Sequence, residues 1–243
     1  MEDRPRGDMD NRTVIIVSGL PYSGKSTLVK DLHSTSRYAK ATVFSQDKFG
    51  HALYGGREDS DITMAEHRFK NEWMRYEILR SLILGTGTVI VDSVMLTIEQ
   101  HQLPILEMLA RAEKYIQEIN RERGIGPTAI HLKVILCFST PEVIESRALH
   151  TSQDDRKKYL SPVFDLSGMR RAYDHFEFPN ASTYEPLYLD TSDTSTEAQP
   201  KRLGVIDEFV QKEIVNKALN ESQKQTALTS YQAMYSKIKV ATA

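Results

Sequence analysis

The sequence predicts an α/β domain: a five-stranded parallel sheet covered by helices on both faces, with a helical lid over one end. Three observations predict it. Short runs that are almost entirely apolar, TVIIVS at 13–18, TVIVD at 88–92 and IHLKVILCF at 130–138, read as strands buried on both faces. Stretches with helical periodicity alternate with those runs, the order that gives parallel strands joined by helices. A glycine-containing turn, GLPYSG at 19–24, separates the first strand from the first helix.

In order, residues 1–12 are polar and of mixed charge and read as a disordered tail. Strand 13–18 leads through the turn to a helix at 25–34. ATVFS at 41–45 is a second strand, followed by a turn-rich piece at 46–61 that holds Gly50, Gly55 and Gly56. A helix is expected over 62–84, its apolar spacing set by Phe69, Trp73, Tyr76, Leu79, Leu82 and Ile83. Core packing is the expected role of its three aromatics, ahead of base stacking. Gly85 and Gly87 stop it before strand 88–92. Residues 97–123 read as helix capped by Thr97, with Pro104 marking either a kink or a fresh start. After strand 130–138 come a short helix at 141–149, a polar stretch at 151–158 and a helix near 168–176. PLYL at 186–189 is the fifth strand, 191–202 a polar loop, 205–219 an amphipathic helix, and 223–243 a loose helix or tail. The domain is therefore expected over 13–219, with its lid at about 141–176 and a C-terminal helix or tail at 220–243.

The turn carries the chemistry. Gly19 to Ser26 (GLPYSGKS) matches G-x-x-x-x-G-K-[ST] with a strand before and a helix after, the context that makes this pattern a phosphate site. The fold class is thus a P-loop NTPase three-layer sandwich. Gly19 and Gly24 permit backbone angles and close approach that a Cβ would forbid. Backbone N–H groups along Gly19, Tyr22, Ser23 and Gly24 form an anion nest, reinforced by the dipole of the helix that opens through Lys25, Ser26 and Thr27. Lys25 is expected on the β- and γ-phosphates, and the Ser26 hydroxyl on Mg²⁺. The nucleotide is expected to be ATP, with GTP as the alternative.

Composition narrows the rest. A chain of 243 residues suits one such domain, and 40% hydrophobic content supplies a core. No apolar run approaches membrane-spanning length, and the opening MEDRPRGDMDNR does not read as a secretory signal. The single cysteine, Cys137, lies within an apolar run and reads as a core thiol. No Cys/His spacing suggests zinc. A reducing, cytoplasmic setting is expected. The net charge of −2 gives no support to a nucleic-acid partner, and none to a membrane surface.

In a parallel sheet, ligands bind beyond the carboxyl ends of the strands. Asp47 follows the second strand and is a candidate general base for a substrate hydroxyl; the bland alternative is a helix N-cap. Asp92 ends the third strand, where an uncompensated charge is costly, so it is expected to hold either the metal or the acceptor. Ser93 is its weaker companion on the acceptor side. Arg147 follows the fourth strand; with Arg156, Lys157, Lys158, Arg170 and Arg171 it could close over the triphosphate and stabilise charge in transfer. Interleaved Asp154, Asp155 and Asp165 allow a plain solvated face instead.

Taken together, GLPYSGKST, SQDKF at 45–49, VIVDS at 89–93, ESR at 145–147 and YDHFEFP at 173–179 resemble the polynucleotide-kinase-like group of small P-loop kinases, relatives of the zeta toxins. The resemblance covers about residues 13–190. It implies Asp47 as general base, Asp92 on the acceptor side and Arg147 as the lid arginine. Two positions depart from the phage-type pattern. Gly50 stands where an arginine would read an acceptor phosphate, and Thr151 where a second lid arginine would be, with Arg156 as a substitute. The expected activity is transfer of the γ-phosphate from ATP to a hydroxyl-bearing substrate, a small molecule or a nucleic-acid end. A polynucleotide 5′-hydroxyl kinase, an acceptor-free ATPase module, and a scaffold using 218–243 as a docking arm are the other readings.

Overall fold

β1 (Arg12–Ser18) is the middle strand of the sheet because it is apolar on both faces: Val14 and Ile16 point one way, Ile15 and Val17 the other, and all four are buried. The computed structural model describes residues 12–55, 62–85, 87–93, 102–150, 166–178, 184–211 and 217–241. The remaining strands are β2 (Thr42–Ser45), β3 (Thr88–Asp92), β4 (Ile130–Phe138) and β5 (Leu187–Asp190), and the order is β2-β3-β1-β4-β5, all parallel. The register pairs Val17 and Ser45 with Asp92, and Ser18 with Leu136, so the strands end together along one edge.

The helices are α1 (Lys25–Ser34), α2 (Gln46–Tyr54), α3 (Met64–Leu84), α4 (Leu103–Glu122), α5 (Pro141–His150), α6 (Leu166–His175), α7 (Ala198–Gln211) and α8 (Lys217–Ala241). Ile15 and Val17 pack with Leu28 and Leu32 of α1 and Ile206 and Phe209 of α7. On the opposite face, Val14 and Ile16 pack with Ile78 and Leu82 of α3 and Met108 and Leu109 of α4. Each such buried side chain is worth about 1.5–3 kcal/mol relative to leaving it in water. A third cluster joins α5, α6 and α8 beside β4 and β5.

Several expected boundaries move. Residues 46–54 form α2 rather than a turn, because Gly50 is buried where the Lys70 side chain passes and Asp47 complements the dipole in the first turn. Helix α4 begins at Leu103 with Pro104 in its first turn, the fresh start of the two alternatives, since a first-turn N–H has no helical partner to lose; Thr97 lies outside the described residues. Helix α7 starts at Ala198 inside the expected loop, tolerating Pro200 in its first turn for the same reason. On α3 the core face is Met74, Ile78 and Leu82, spaced by four. Phe69, Trp73 and Tyr76 are not in the core: they are 48%, 43% and 61% exposed. A residue step turns a helix by about 100°, which carries Trp73 well off the face of Met74.

Helix α8 buries Ala227, Met234 and Ile238, at steps of seven and four along an otherwise polar helix. Its Asn220 accepts from Tyr188 N at 3.0 Å and donates to Pro186 O at 2.9 Å, covering the open edge of β5. No helix among the described residues is long and apolar enough to cross a membrane.

Candidate nucleotide and acceptor site

The turn after β1 is held in a conformation few residues tolerate. Gly19 has φ 142° and Gly24 φ 83°, and Tyr22 also sits at positive φ, 62°. A Cβ on Gly19 would lie 2.3 Å from Cys137 O. Gly24 is the N-cap of α1, so the helix begins at Lys25 with its open N–H groups facing the turn.

Lys25 is buried and its Nζ donates to Leu20 O at 2.8 Å. Burial pulls its pKa below the ordinary lysine range, while the charges of Asp92 and Asp47 oppose that shift. Asp92 ends β3 and Asp47 lies just past the end of β2, whose Ser45 is paired with Asp92. Asp92 is buried and accepts from Ser26 Oγ at 2.8 Å. Asp47 is the second residue of α2, and the N-cap is Ser45, so capping is not its role. Hydroxyl and carboxylate oxygens are the donor set Mg²⁺ prefers. Among the described residues there is no group of three or more His, Cys, Asp and Glu that could hold a metal ion.

Ser93 is buried and donates to Gln46 Oε1 at 3.0 Å; Gln46 Nε2 in turn donates to Asn71 Oδ1 at 3.2 Å. Ser93 therefore braces the start of α2. Thr27 is exposed on the first turn of α1. Arg147 reaches from α5 to the turn itself: Nη1 donates to Tyr22 O and to Ser139 Oγ, both at 2.9 Å, and Nη2 to Thr191 O at 2.6 Å. Arg156, Lys157 and Lys158 lie outside the described residues; Arg170 pairs with Asp174 along α6.

The sequence reading passed over Ser139 and placed Thr191 in a polar loop without giving it a role. Both are buried, and both follow an apolar strand directly, the same signal that marked Asp92. A hydroxyl at a strand end is common enough that the signal carried no weight.

Residues 13–97, well under half of the chain, match the family model described as chromatin associated protein KTI12. That span holds the phosphate loop, Asp47 and Asp92. Among solved structures, a candidate kinase from Chloroflexus aurantiacus is 16% identical, with 84% of this chain and 100% of that one covered and a TM-score of 0.53. Kti12 of Chaetomium thermophilum in complex with ADP-AlF3 is 17% identical over 81% of this chain and 98% of that one, TM-score 0.48. Shikimate kinase from Bacteroides thetaiotaomicron is 12% identical over 82% and 98%, TM-score 0.46. At 16% identity the likeness to the Chloroflexus structure speaks to the fold alone. A comparison with curated proteins finds no match.

Proposed function

We propose that this protein is an ATP- and Mg²⁺-dependent phosphotransferase acting on a hydroxyl acceptor. The observation that carries the reading is the geometry at the strand ends: buried Lys25 on the phosphate turn, Asp92 bonded to Ser26 beside it, and Asp47 two residues past Ser45, the residue paired with Asp92. Phosphoryl transfer needs positioned phosphates, charge neutralisation and an oriented acceptor, and these groups supply each. The turn amides and Lys25 hold the β- and γ-phosphates. Ser26 and Asp92 are the residues that would hold Mg²⁺, which when bound neutralises charge on those oxygens. Asp47 takes the proton of the acceptor hydroxyl as its oxygen bonds to the γ-phosphorus and the bond to the bridging oxygen breaks, releasing ADP. Arg147 keeps its charge beside the turn.

A nucleic-acid acceptor is the second reading, favoured by one observation. Exposed Phe69, Trp73 and Tyr76 on α3 alternate with Arg68, Lys70 and Arg75, next to the helix that carries Asp47. Aromatic and cationic side chains together make a stacking platform for single strands. Gly50 speaks against a bound acceptor phosphate, although Lys70 fills its place: Nζ lies 3.8 Å from where a Gly50 Cβ would be.

The deciding experiment measures Mg·ATP and Mg·GTP binding by calorimetry, then ADP release against a panel of small hydroxyl compounds and 5′-hydroxyl oligonucleotides. Asp47→Asn should keep nucleotide affinity and lower turnover on the order of 10²-fold or more. Absence of nucleotide binding, or full activity in Asp47→Asn, overturns the reading.

A further inference from the structure

Thr191, just past the end of β5, has a hydroxyl at the junction of four hydrogen-bonding groups. Its Oγ1 lies 2.7 Å from Ser23 O, 3.0 Å from Phe138 O, 2.6 Å from Ser139 Oγ and 3.3 Å from Arg147 Nη1. A hydroxyl has one proton to give and two lone pairs to accept with. Both carbonyls can only accept, so the Thr191 proton goes to one of them, and Ser23 O is the nearer. Ser139 must then donate to Thr191, which leaves Ser139 Oγ to accept from Arg147 Nη1 at 2.9 Å. The result is a one-way relay, Arg147 to Ser139 to Thr191 to Ser23 O, in which Ser139, Thr191 and Ser23 are all buried.

The relay ends on the phosphate turn. In a trans peptide the C=O and the following N–H point in opposite directions. Pinning Ser23 C=O toward Thr191 therefore turns Gly24 N–H away from it, toward the inside of the turn. The neighbouring carbonyl, Tyr22 O, is pinned by Arg147 in the same sense. Gly24 has no alternative room: a Cβ there would meet Thr191 Oγ1 at 3.0 Å and Arg147 Nη1 at 3.2 Å.

We infer that Thr191 is a positioning residue for the nucleotide: its hydroxyl fixes the Ser23–Gly24 peptide so that Gly24 N–H is presented to a phosphate oxygen. The inference rests on the nucleotide reading above and adds the group that orients the turn. Without the hydroxyl, Ser23 C=O loses its donor in a buried place, and the peptide gains freedom to rotate away from the productive orientation.

Calorimetric titration with Mg·ADP tests this in the full chain. Thr191→Val keeps the shape and removes the hydroxyl; its dissociation constant should rise on the order of 10-fold. Thr191→Ser restores the hydroxyl and should bind within about 3-fold of wild type. Should Thr191→Val fail to fold, Ser139→Ala breaks the relay one link earlier and should weaken Mg·ADP in the same direction by a smaller factor. Wild-type affinity in folded Thr191→Val, equal losses in the Val and Ser variants, or unchanged affinity in Ser139→Ala would each overturn the inference. Failure of the wild-type protein to bind Mg·ADP overturns the nucleotide reading itself, and is told apart because no substitution is involved.

Discussion

Ser26 Oγ donates to Asp92 Oδ2 at 2.8 Å, tying the first turn of α1 to the carboxyl end of β3 across 66 positions of sequence. On the function proposed above, this bond favours the metal role for Asp92, where the sequence alone left metal and acceptor open. A hydroxyl that donates to a carboxylate keeps its lone pairs for a cation.

Asp92→Asn is nearly isosteric, so the fold should survive while charge opposite the phosphates is lost. Turnover is expected to drop on the order of 10²-fold, with the Mg²⁺ concentration for half-maximal rate moving upward. Ser26→Ala should give a comparable loss. On the proposed function both residues serve one ion, so the double variant should be far less impaired than the product of the single effects. Multiplicative losses in steady-state kinetics would separate the two residues.

Cys137 offers a test by pH. Burial pushes its thiol up to about 12 from the model-peptide value of 9.0. The folded chain holds this proton more tightly than the unfolded chain. Its contribution to stability is therefore complete below pH 9.0 and is lost as pH rises from there toward about 12. In the folded protein an alkylating reagent near pH 9 should leave Cys137 unlabelled, while denaturant should expose it to rapid labelling. Rapid modification of native protein, seen by mass spectrometry, would contradict a buried thiol.

The faces of α3 separate two kinds of apolar residue. Ile78 is fully buried against Val14 and Ile16, so Ile78→Ala should cost about 3 kcal/mol. Trp73 meets Phe49 and Phe69 edge-on at 6.5 and 5.4 Å but stays 43% exposed. Trp73→Ala should cost about 1 kcal/mol. Urea unfolding of both variants checks the ranking, and a larger loss at Trp73 would return that residue to the core.

What could be read from the sequence follows from how local each signal is. The strands around Ile15, Ile90 and Ile135 declare themselves because a strand buried on both faces must be apolar at every position. The phosphate turn declares itself because close backbone approach admits only glycine at 19 and 24. On α3, by contrast, Phe69–Trp73–Tyr76 and Met74–Ile78–Leu82 are both apolar stripes at helical spacing. Only the position of the sheet decides which one is covered. Helix α8 was faint for the opposite reason: its buried Ala227, Met234 and Ile238 are scattered among Gln, Ser and Lys. The Ser139–Thr191 bond joins two strand ends 52 positions apart, a juxtaposition fixed by sheet order alone.

Asn220 shows how the C-terminal helix is fastened to that sheet. β5 is an edge strand, and Asn220 satisfies one N–H and one C=O on its outer side, Tyr188 N and Pro186 O. All three groups are buried. Asn220→Ala would strand both backbone groups at a cost of about 1–3 kcal/mol each if water does not reach them. Asn220→Asp keeps the acceptor for Tyr188 N but sets a carboxylate oxygen against Pro186 O, so it should be no better than alanine. Thr191, a few residues further along, is held separately by its own N–H to Phe138 O at 2.9 Å. Nucleotide affinity in Asn220→Ala should therefore stay within about 3-fold of wild type while the melting temperature falls by several degrees. A variant that keeps its melting temperature would show that α8 is not fastened through this side chain. One that loses affinity in step with stability would show that the edge of β5 and the phosphate turn move as a unit.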